Sequence, residues 1–225
     1  MGNSQKDTAV LWDHLHENRR FRPHYPNEHV VRFLMARISL GENGASTRLL
    51  DIGTGAGRHL HLGAELGFEA YGVDRSLVGL RYAHQRLQAS NLPGRITQAS
   101  MLSLPFADCS FGLVVSFQVF CYTTGGELLQ AIAEAWRVLA SKGSLFVALR
   151  TSDDYRYGKG ERLAPNTFRL KISDTNEFDS TQHFLAAEDI PRYFERFSSV
   201  GFEKTETTSS NRMRVDSDWL ITARK

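Results

Sequence analysis

The stretch "LLDIGTGAGRHL", Leu49–Leu60, constrains this chain more than any other. An apolar run ends in Asp51, and Gly53, Gly55 and Gly57 then occupy three of the next positions. Such a pattern reads as a buried strand, a tight turn and the start of a helix, with free backbone N–H groups beside whatever binds there. Further apolar runs at 48–53, 69–74, 95–100, 111–117 and 143–150 are separated by helical periodicity over 57–67, 76–89 and 126–140. In the last of these, Leu128, Leu129, Ile132, Ala135, Trp136 and Leu139 recur at helical spacing and belong to a core. Strands alternating with amphipathic helices predict an α/β fold, a doubly wound and mostly parallel sheet.

The flanks read differently. Residues 6–19 and 27–39 have helical patterns, joined by "FRPHYPN", whose Pro23 and Pro26 enforce an extended link. The segment 150–184 has no sustained period and is rich in turn formers, so it reads as an insertion or lid. A helix is expected over 186–202, with Pro191 in its first turn and Gly201 ending it. Alternating residues at 202–210 and 216–225 predict a closing antiparallel hairpin. At 225 residues the expectation is one domain in four parts: a helical cover (1–40), a binding core (41–150), a lid (151–185), and a C-terminal helix and hairpin (186–225).

Composition excludes several classes of function. With 41% hydrophobic residues a packed core forms, and 27 basic against 25 acidic residues leave a net charge of +2, too mild to announce a nucleic-acid partner. The densest basic spot, "ENRRFR" (Glu17–Arg22), reads as a solvated helix end. No apolar stretch approaches the roughly 20 residues that cross a bilayer. The polar start lacks a signal-peptide centre, and "MGNSQK" has no Ser or Thr at its sixth position for myristoylation, so a cytoplasmic protein is expected. Cys109 and Cys121 form no ligand cluster, and His59 and His61, two apart on a helix, face different ways. No metal site is expected, and monomer and homodimer both stay open.

The spacing of the glycines narrows the ligand. A dinucleotide fingerprint needs glycines at relative positions one, three and six; here they stand at one, three and five, and Arg58 takes the sixth. The Gly-Lys-Ser/Thr ending of a phosphate loop is also absent. Asp51 at one strand end and Asp74 at the next, in "YGVDRS", suit a ligand with an ammonium and a ribose diol. Two acids and a short glycine turn therefore point to a nucleoside that carries an amino acid.

At these residues the chain resembles the class I S-adenosylmethionine-dependent methyltransferases, in particular the small-molecule, type 11 group related to the ubiquinone and menaquinone methyltransferases. "LLDIGTGAGR", "GVDRS", "LPFADCSFGLVVS" and "AEAWRVLASKGSLFVAL" are similar to successive motifs of that family. The resemblance implies a Rossmann-like, seven-stranded sheet with an antiparallel C-terminal strand, and S-adenosylmethionine as cofactor. It implies that Asp51, Gly53, Thr54 and Gly55 meet the methionine part, Asp74 the ribose and Arg75 the adenine, with Arg58 steering the carboxylate. Ser100, Met101 and Phe117 complete the implied cofactor set. Ser100 stands where relatives carry an Asp for the adenine amino group, and Gly112 replaces another Asp at a position read as structural.

Methyl transfer is an in-line displacement, so holding acceptor and methyl about 3 Å apart supplies most of the acceleration. Cys121 and Tyr122 replace a common histidine pair. Tyr122 is a candidate to orient an acceptor hydroxyl; the resemblance, through the histidine segment "TQHFLAAED" and the N-terminal link "PHYPNEHVVRF", implies His183 as general base and Tyr25 closing on the sulfonium. Arg150 joins Tyr122 and His183 in binding substrate and suits an anionic group. Together with Arg156, Lys159, Arg162 and Arg169 it leans the reading towards an anionic or sugar-like small molecule, methylated on oxygen or nitrogen. The rival readings are a catalytically silent S-adenosylmethionine-binding regulator, an RNA methyltransferase and an NAD(P)-dependent oxidoreductase.

Overall fold

The computed structural model describes residues 3–42, 47–173, 177 and 179–225, with side chains from Ala9 onward. Gly2 of the lipidation pattern and part of the 150–184 segment lie outside the described residues. Helices α1 (Asn3–Glu17) and α2 (Glu28–Ser39) come first. An alternation follows: β1 (Arg48–Ile52), α3 (Arg58–Glu65), β2 (Glu69–Asp74), α4 (Leu77–Ala89), β3 (Arg95–Gln98), β4 (Phe111–Phe117), α5 (Gly125–Val138) and β5 (Leu139–Arg150). The chain ends with β6 (Gly160–Ala164), β7 (Thr167–Leu170), β8 (Thr181–His183), the short α6 (Ile190–Tyr193), β9 (Ser199–Ser209) and β10 (Arg214–Arg224).

Seven strands form one sheet in the order β3-β2-β1-β4-β5-β10-β9, with β10 antiparallel to both neighbours. The expected mostly parallel sheet with an antiparallel C-terminal strand is borne out. Its two faces follow from the alternation of side chains along a strand. Leu50 and Ile52 of β1, Val114 of β4 and Leu145, Val147 and Leu149 of β5 pack with Leu128, Ile132 and Ala135 of α5. The intervening Leu49, Leu113, Val115, Phe146 and Ala148 pack on the opposite face with Val30, Phe33 and Leu34 of α2. Strand order reverses between β1 and β4, which opens a crevice at their carboxyl ends, the usual ligand position in such sheets.

Two expectations need correction. The helix expected over 186–202 is only a 3-10 turn, Ala187–Asp189, and the single turn of α6 with Pro191 at its start. From Ser199 onward eleven residues pair with β10, so Gly201 lies in a strand opposite Thr222 and ends no helix. The continuous ladder outweighs the local helical pattern. The segment without period contains a three-stranded antiparallel sheet, β6-β7-β8, with a small core of Phe168, Leu170 and Phe184. Its β6–β7 hairpin turns on Pro165-Asn166, where Asn166 has φ +53°, a conformation that asparagine tolerates.

The three glycines of the opening stretch each answer a different neighbour. A Cβ on Gly53 would lie 2.3 Å from Val119 Cγ2, and one on Gly55 3.0 Å from His16 Nε2. One on Gly57, at φ +79°, would lie 2.8 Å from Ala83 Cβ and 3.0 Å from the Ala83 Cα. The third glycine therefore serves close approach of α3 to α4 and does not face a ligand. Gly57→Ala adds the left-handed backbone cost to overpacking against a helix backbone, and is expected to destabilise by about 2–4 kcal/mol in urea unfolding. Gly67→Ala, at φ +86° with nothing within 4 Å of the new methyl, carries the backbone cost alone and should lose only about 1–2 kcal/mol.

Candidate functional site

A cavity of about 290 Å3 lies at the carboxyl ends of β1, β2 and β4. Its floor is the glycine turn itself: Gly53, Thr54, Gly55 and Ala56, then Arg58 at the start of α3. Asp74 ends β2 and Arg75 follows it, Ala99 and Met101 follow β3, and Phe117 ends β4 with Gln118 and Val119 after it. Trp12 and His16 of α1 and Arg20, Phe21 and Pro23 close it from one side, Tyr122, Arg150 and Glu177 from another.

Asp74 organises the floor. Its Oδ2 accepts the Gly55 N–H at 2.8 Å and its Oδ1 the Ser76 N–H at 2.8 Å, which ties the turn after β1 to the start of α4. Burial pushes its carboxyl up from the ordinary value, and the amide donors oppose that shift. Asp51 does a different job from the one its position implies. It is buried beneath the turn and does not line the cavity; its Oδ2 accepts the Thr54 hydroxyl at 2.7 Å, and burial pushes its carboxyl up to about 6. Ser100 is likewise turned away: its Oγ accepts the Leu102 N–H at 3.2 Å, and the neighbouring Ala99 and Met101 form the wall.

The cover over the floor comes from α1, held by a network that sequence reading misses. Asp13 Oδ1 accepts the Ser76 hydroxyl at 2.7 Å and the Val78 N–H at 3.0 Å. Since the Ser76 proton points to Asp13, the contact of 2.9 Å between His16 Nδ1 and Ser76 Oγ places a proton on Nδ1. Nε2 then faces Gly55 with a lone pair, and burial lowers the imidazole pKa, which favours the neutral ring. Trp12 meets the edge of Tyr122 at 4.7 Å between ring centroids.

Opposite α1 sits a carboxylate between two guanidinium groups. Glu177 Oε1 accepts from Arg150 Nη2 and from the Tyr122 hydroxyl, each at 2.7 Å, and Arg156 Nε stands 2.8 Å from its Oε2. Burial alone would raise this carboxyl, but the two arginines hold it at about 2. Arg150 also donates to Gln182 Oε1. Arg150 is buried, and the nearby Asp153 pairs with Lys204 at 2.7 Å.

Two candidate catalytic residues are elsewhere. His183 is buried outside the cavity lining, its Nδ1 at 2.8 Å from Thr167 Oγ1 and its Nε2 at 3.1 Å from the Tyr193 hydroxyl. Both ring nitrogens are engaged, and burial lowers its pKa, so it packs β8 against its neighbours. Tyr25 is 79% exposed against His24, and its part in the cover is taken by Trp12 and His16. Cys121 is buried with its thiol pushed up to about 12, which removes it as a nucleophile. Among the described residues no cluster of metal-ligating side chains forms, and no helix is long and apolar enough to cross a membrane.

Residues 50–147, from β1 through most of β5, match the sequence family described as a methyltransferase domain. That match covers the stretch from β1 into β5, less than half of the chain. A methyltransferase domain implies S-adenosylmethionine as cofactor. No curated protein matches it in sequence. Among solved structures, an S-adenosylmethionine-dependent methyltransferase from Methanosarcina mazei superposes with TM-score 0.70 at 20% identity, over 84% of this chain and 96% of that one. A structure reported for the conversion of a disulfide bond into a thioacetal group during echinomycin biosynthesis gives 0.69 at 18% identity, over 97% and 92%. A possible histamine N-methyltransferase from Thermotoga maritima gives 0.59 at 16% identity, over 99% and 95%. At these identities the likeness is one of fold.

The Glu177 cluster sets an acid limit on the chain's stability. A carboxyl held at about 2 when folded and near 4.5 when free stabilises the fold fully above the free value and loses that contribution as pH falls towards 2. Glu177→Gln leaves Arg150 and Arg156 without their shared anion. It should cost about 3–5 kcal/mol in urea unfolding at neutral pH. The loss should shrink between roughly pH 4.5 and 2.

Proposed function

We propose that this chain transfers a methyl group to a small, polar acceptor, within the cavity where Gly53–Gly55 and Asp74 converge. The observation that carries the reading is the coincidence of the methyltransferase-domain match with that cavity at the strand-order reversal. When bound, S-adenosylmethionine supplies an electrophilic methyl on a sulfonium. The residues present fit it. Asp74 accepts the N–H groups of Gly55, Ser76 and Arg75, and its carboxylate keeps acceptor capacity for a ribose hydroxyl. Ala99, Met101 and Arg75 offer a flat, largely apolar wall for the adenine, and the turn with Arg58 suits the amino-acid end. His16 Nε2 presents an acceptor above Gly55.

The acceptor would enter on the side of Trp12, Gln118, Tyr122 and Glu177, with residues 1–40 and 151–185 as the cover that sets specificity. The cations that favour an anionic acceptor on composition are largely committed. Arg150 pairs with Glu177; Arg156 with Asp154, Glu177 and Asp216; and Arg169 with Glu161. Hydrogen bonding to the Tyr122 hydroxyl oxygen and to the Gln118 amide, whose Nε2 also donates to Asp218 Oδ2 at 2.7 Å, therefore replaces net charge as the basis of recognition.

Among the described residues no group on the acceptor side is poised as a base. Glu177 is a weak base at about 2, and burial raises the Tyr122 hydroxyl well above its ordinary value while it donates to Glu177. We infer that the chain works by alignment, on an acceptor atom that carries a lone pair at neutral pH, such as a ring nitrogen.

Calorimetry with S-adenosylhomocysteine tests the cofactor half. Asp74→Asn should weaken binding about 10–100-fold through loss of charged hydrogen bonds, and unchanged affinity would remove Asp74 from the site. The acceptor half is tested with isotope-labelled methyl donor and a panel of small molecules. Ring-nitrogen acceptors should turn over at a rate roughly constant across neutral pH; a rate that rises with the titration of one enzyme group would show a base at work.

A further inference from the structure

The basic run Glu17–Arg22 is not absorbed by the methyl-transfer site. Arg20 and Phe21 face the cofactor cavity, whereas Arg19 and Arg22 turn to the other side of the same short turn. There they border a second cavity of about 590 Å3 between that turn, α3 and α4. Its chemistry comes from Arg19, Arg22, His24, His61, Tyr82 and Arg86, and among the described residues no carboxylate lines it. A chain with a net charge of only +2 thus gathers three guanidinium groups and two imidazoles around one hollow.

The arginines there are held but not neutralised. Arg22 lies with Cζ 3.8 Å from the centroid of the Tyr82 ring, and its Nη2 reaches the Glu17 carbonyl at 3.3 Å. Its Nε is buried with no hydrogen-bond partner among the described residues. Arg86 Nη2 donates to the Pro23 carbonyl at 3.3 Å. Backbone carbonyls and a ring face orient these side chains without cancelling their charge. Burial pushes Arg86 below its ordinary value, and its charge in turn lowers the neighbouring Arg58 and His59. Uncompensated cations in a recess are costly unless an anion joins them. Guanidinium forks match phosphate oxygens two at a time, and a ring-stacked arginine is already set for such a contact.

The arrangement also indicates the size of the anion. The cationic groups converge on one concavity from three elements, which suits a compact ligand better than a linear backbone running along a stripe. We propose that this second cavity binds a phosphate-bearing small molecule, with the phosphate held by Arg19, Arg22 and Arg86.

Inorganic pyrophosphate is the probe. Calorimetry on the full chain at low salt should show saturable binding that weakens as ionic strength rises. In Arg22→Gln/Arg86→Gln the affinity should fall at least about tenfold, a loss of about 1.4 kcal/mol. Arg19→Gln, at a residue with no packing role in the fold, should give a smaller fall in the same direction. Cooperative thermal unfolding of each variant shows that the fold is kept. Absence of saturable binding would overturn the proposal, as would affinity unchanged in both variants. A single-stranded RNA oligomer that binds more tightly than pyrophosphate and loses affinity in the same variants would also overturn it, and would make this surface a nucleic-acid contact.

Discussion

The Asp74 carboxylate is the interaction on which the site depends. It accepts the Gly55 N–H on one oxygen and the Ser76 N–H on the other, and so fixes the turns after β1 and β2 against each other. Ser76 in turn caps α4 through the Gly79 N–H at 2.9 Å and receives Asp13 and His16 from α1. One anion therefore connects floor, helix and cover. Its partial burial is tolerable because the backbone N–H groups of Gly55, Arg75 and Ser76 compensate it, as a desolvated carboxylate requires. The cavity exists because α1 is docked through this chain of bonds, and not because the glycine turn alone encloses a space.

A second anion, the largely enclosed Glu177, has the same role on the opposite wall. It collects Tyr122 from the loop after β4, Arg150 from the end of β5, and Arg156 from the segment beyond it. Parts of the chain separated by 27 and 55 residues meet at one carboxylate. The two anions differ in balance. Asp74 is held by neutral donors and rises, while Glu177 is held by cations and falls to about 2. A wall whose charges are mutually satisfied offers oriented hydrogen-bonding groups to an acceptor and, among the described residues, no free base, and this shapes the proposed chemistry.

The sheet was legible in the sequence because its signals are local. Apolar runs and helical stripes each speak for their own segment, and the alternation of Leu49, Leu50 and Ile52 already encodes two buried faces. The glycine turn and Asp74 were legible for the same reason. Trp12, His16 and Glu177 were not, because nothing in their own neighbourhood marks them; their roles arise from contacts across the fold. His183 and Tyr25 show the converse. A family pattern singled them out, but two hydrogen bonds engage one ring away from the cavity and solvent surrounds the other. Periodicity also failed at 186–202, where a long β-ladder, a non-local interaction, overrode a plausible helix.

The central claim is that the floor of Gly53–Gly55 and Asp74, roofed by His16, is where the cofactor lies. A crystal structure of the chain grown with S-adenosylhomocysteine tests this most directly. The account predicts the ribose hydroxyls on Asp74, the adenine against Ala99 and Met101, and His16 retained above Gly55. A ligand bound elsewhere, or bound only after α1 has left the turn, would contradict it.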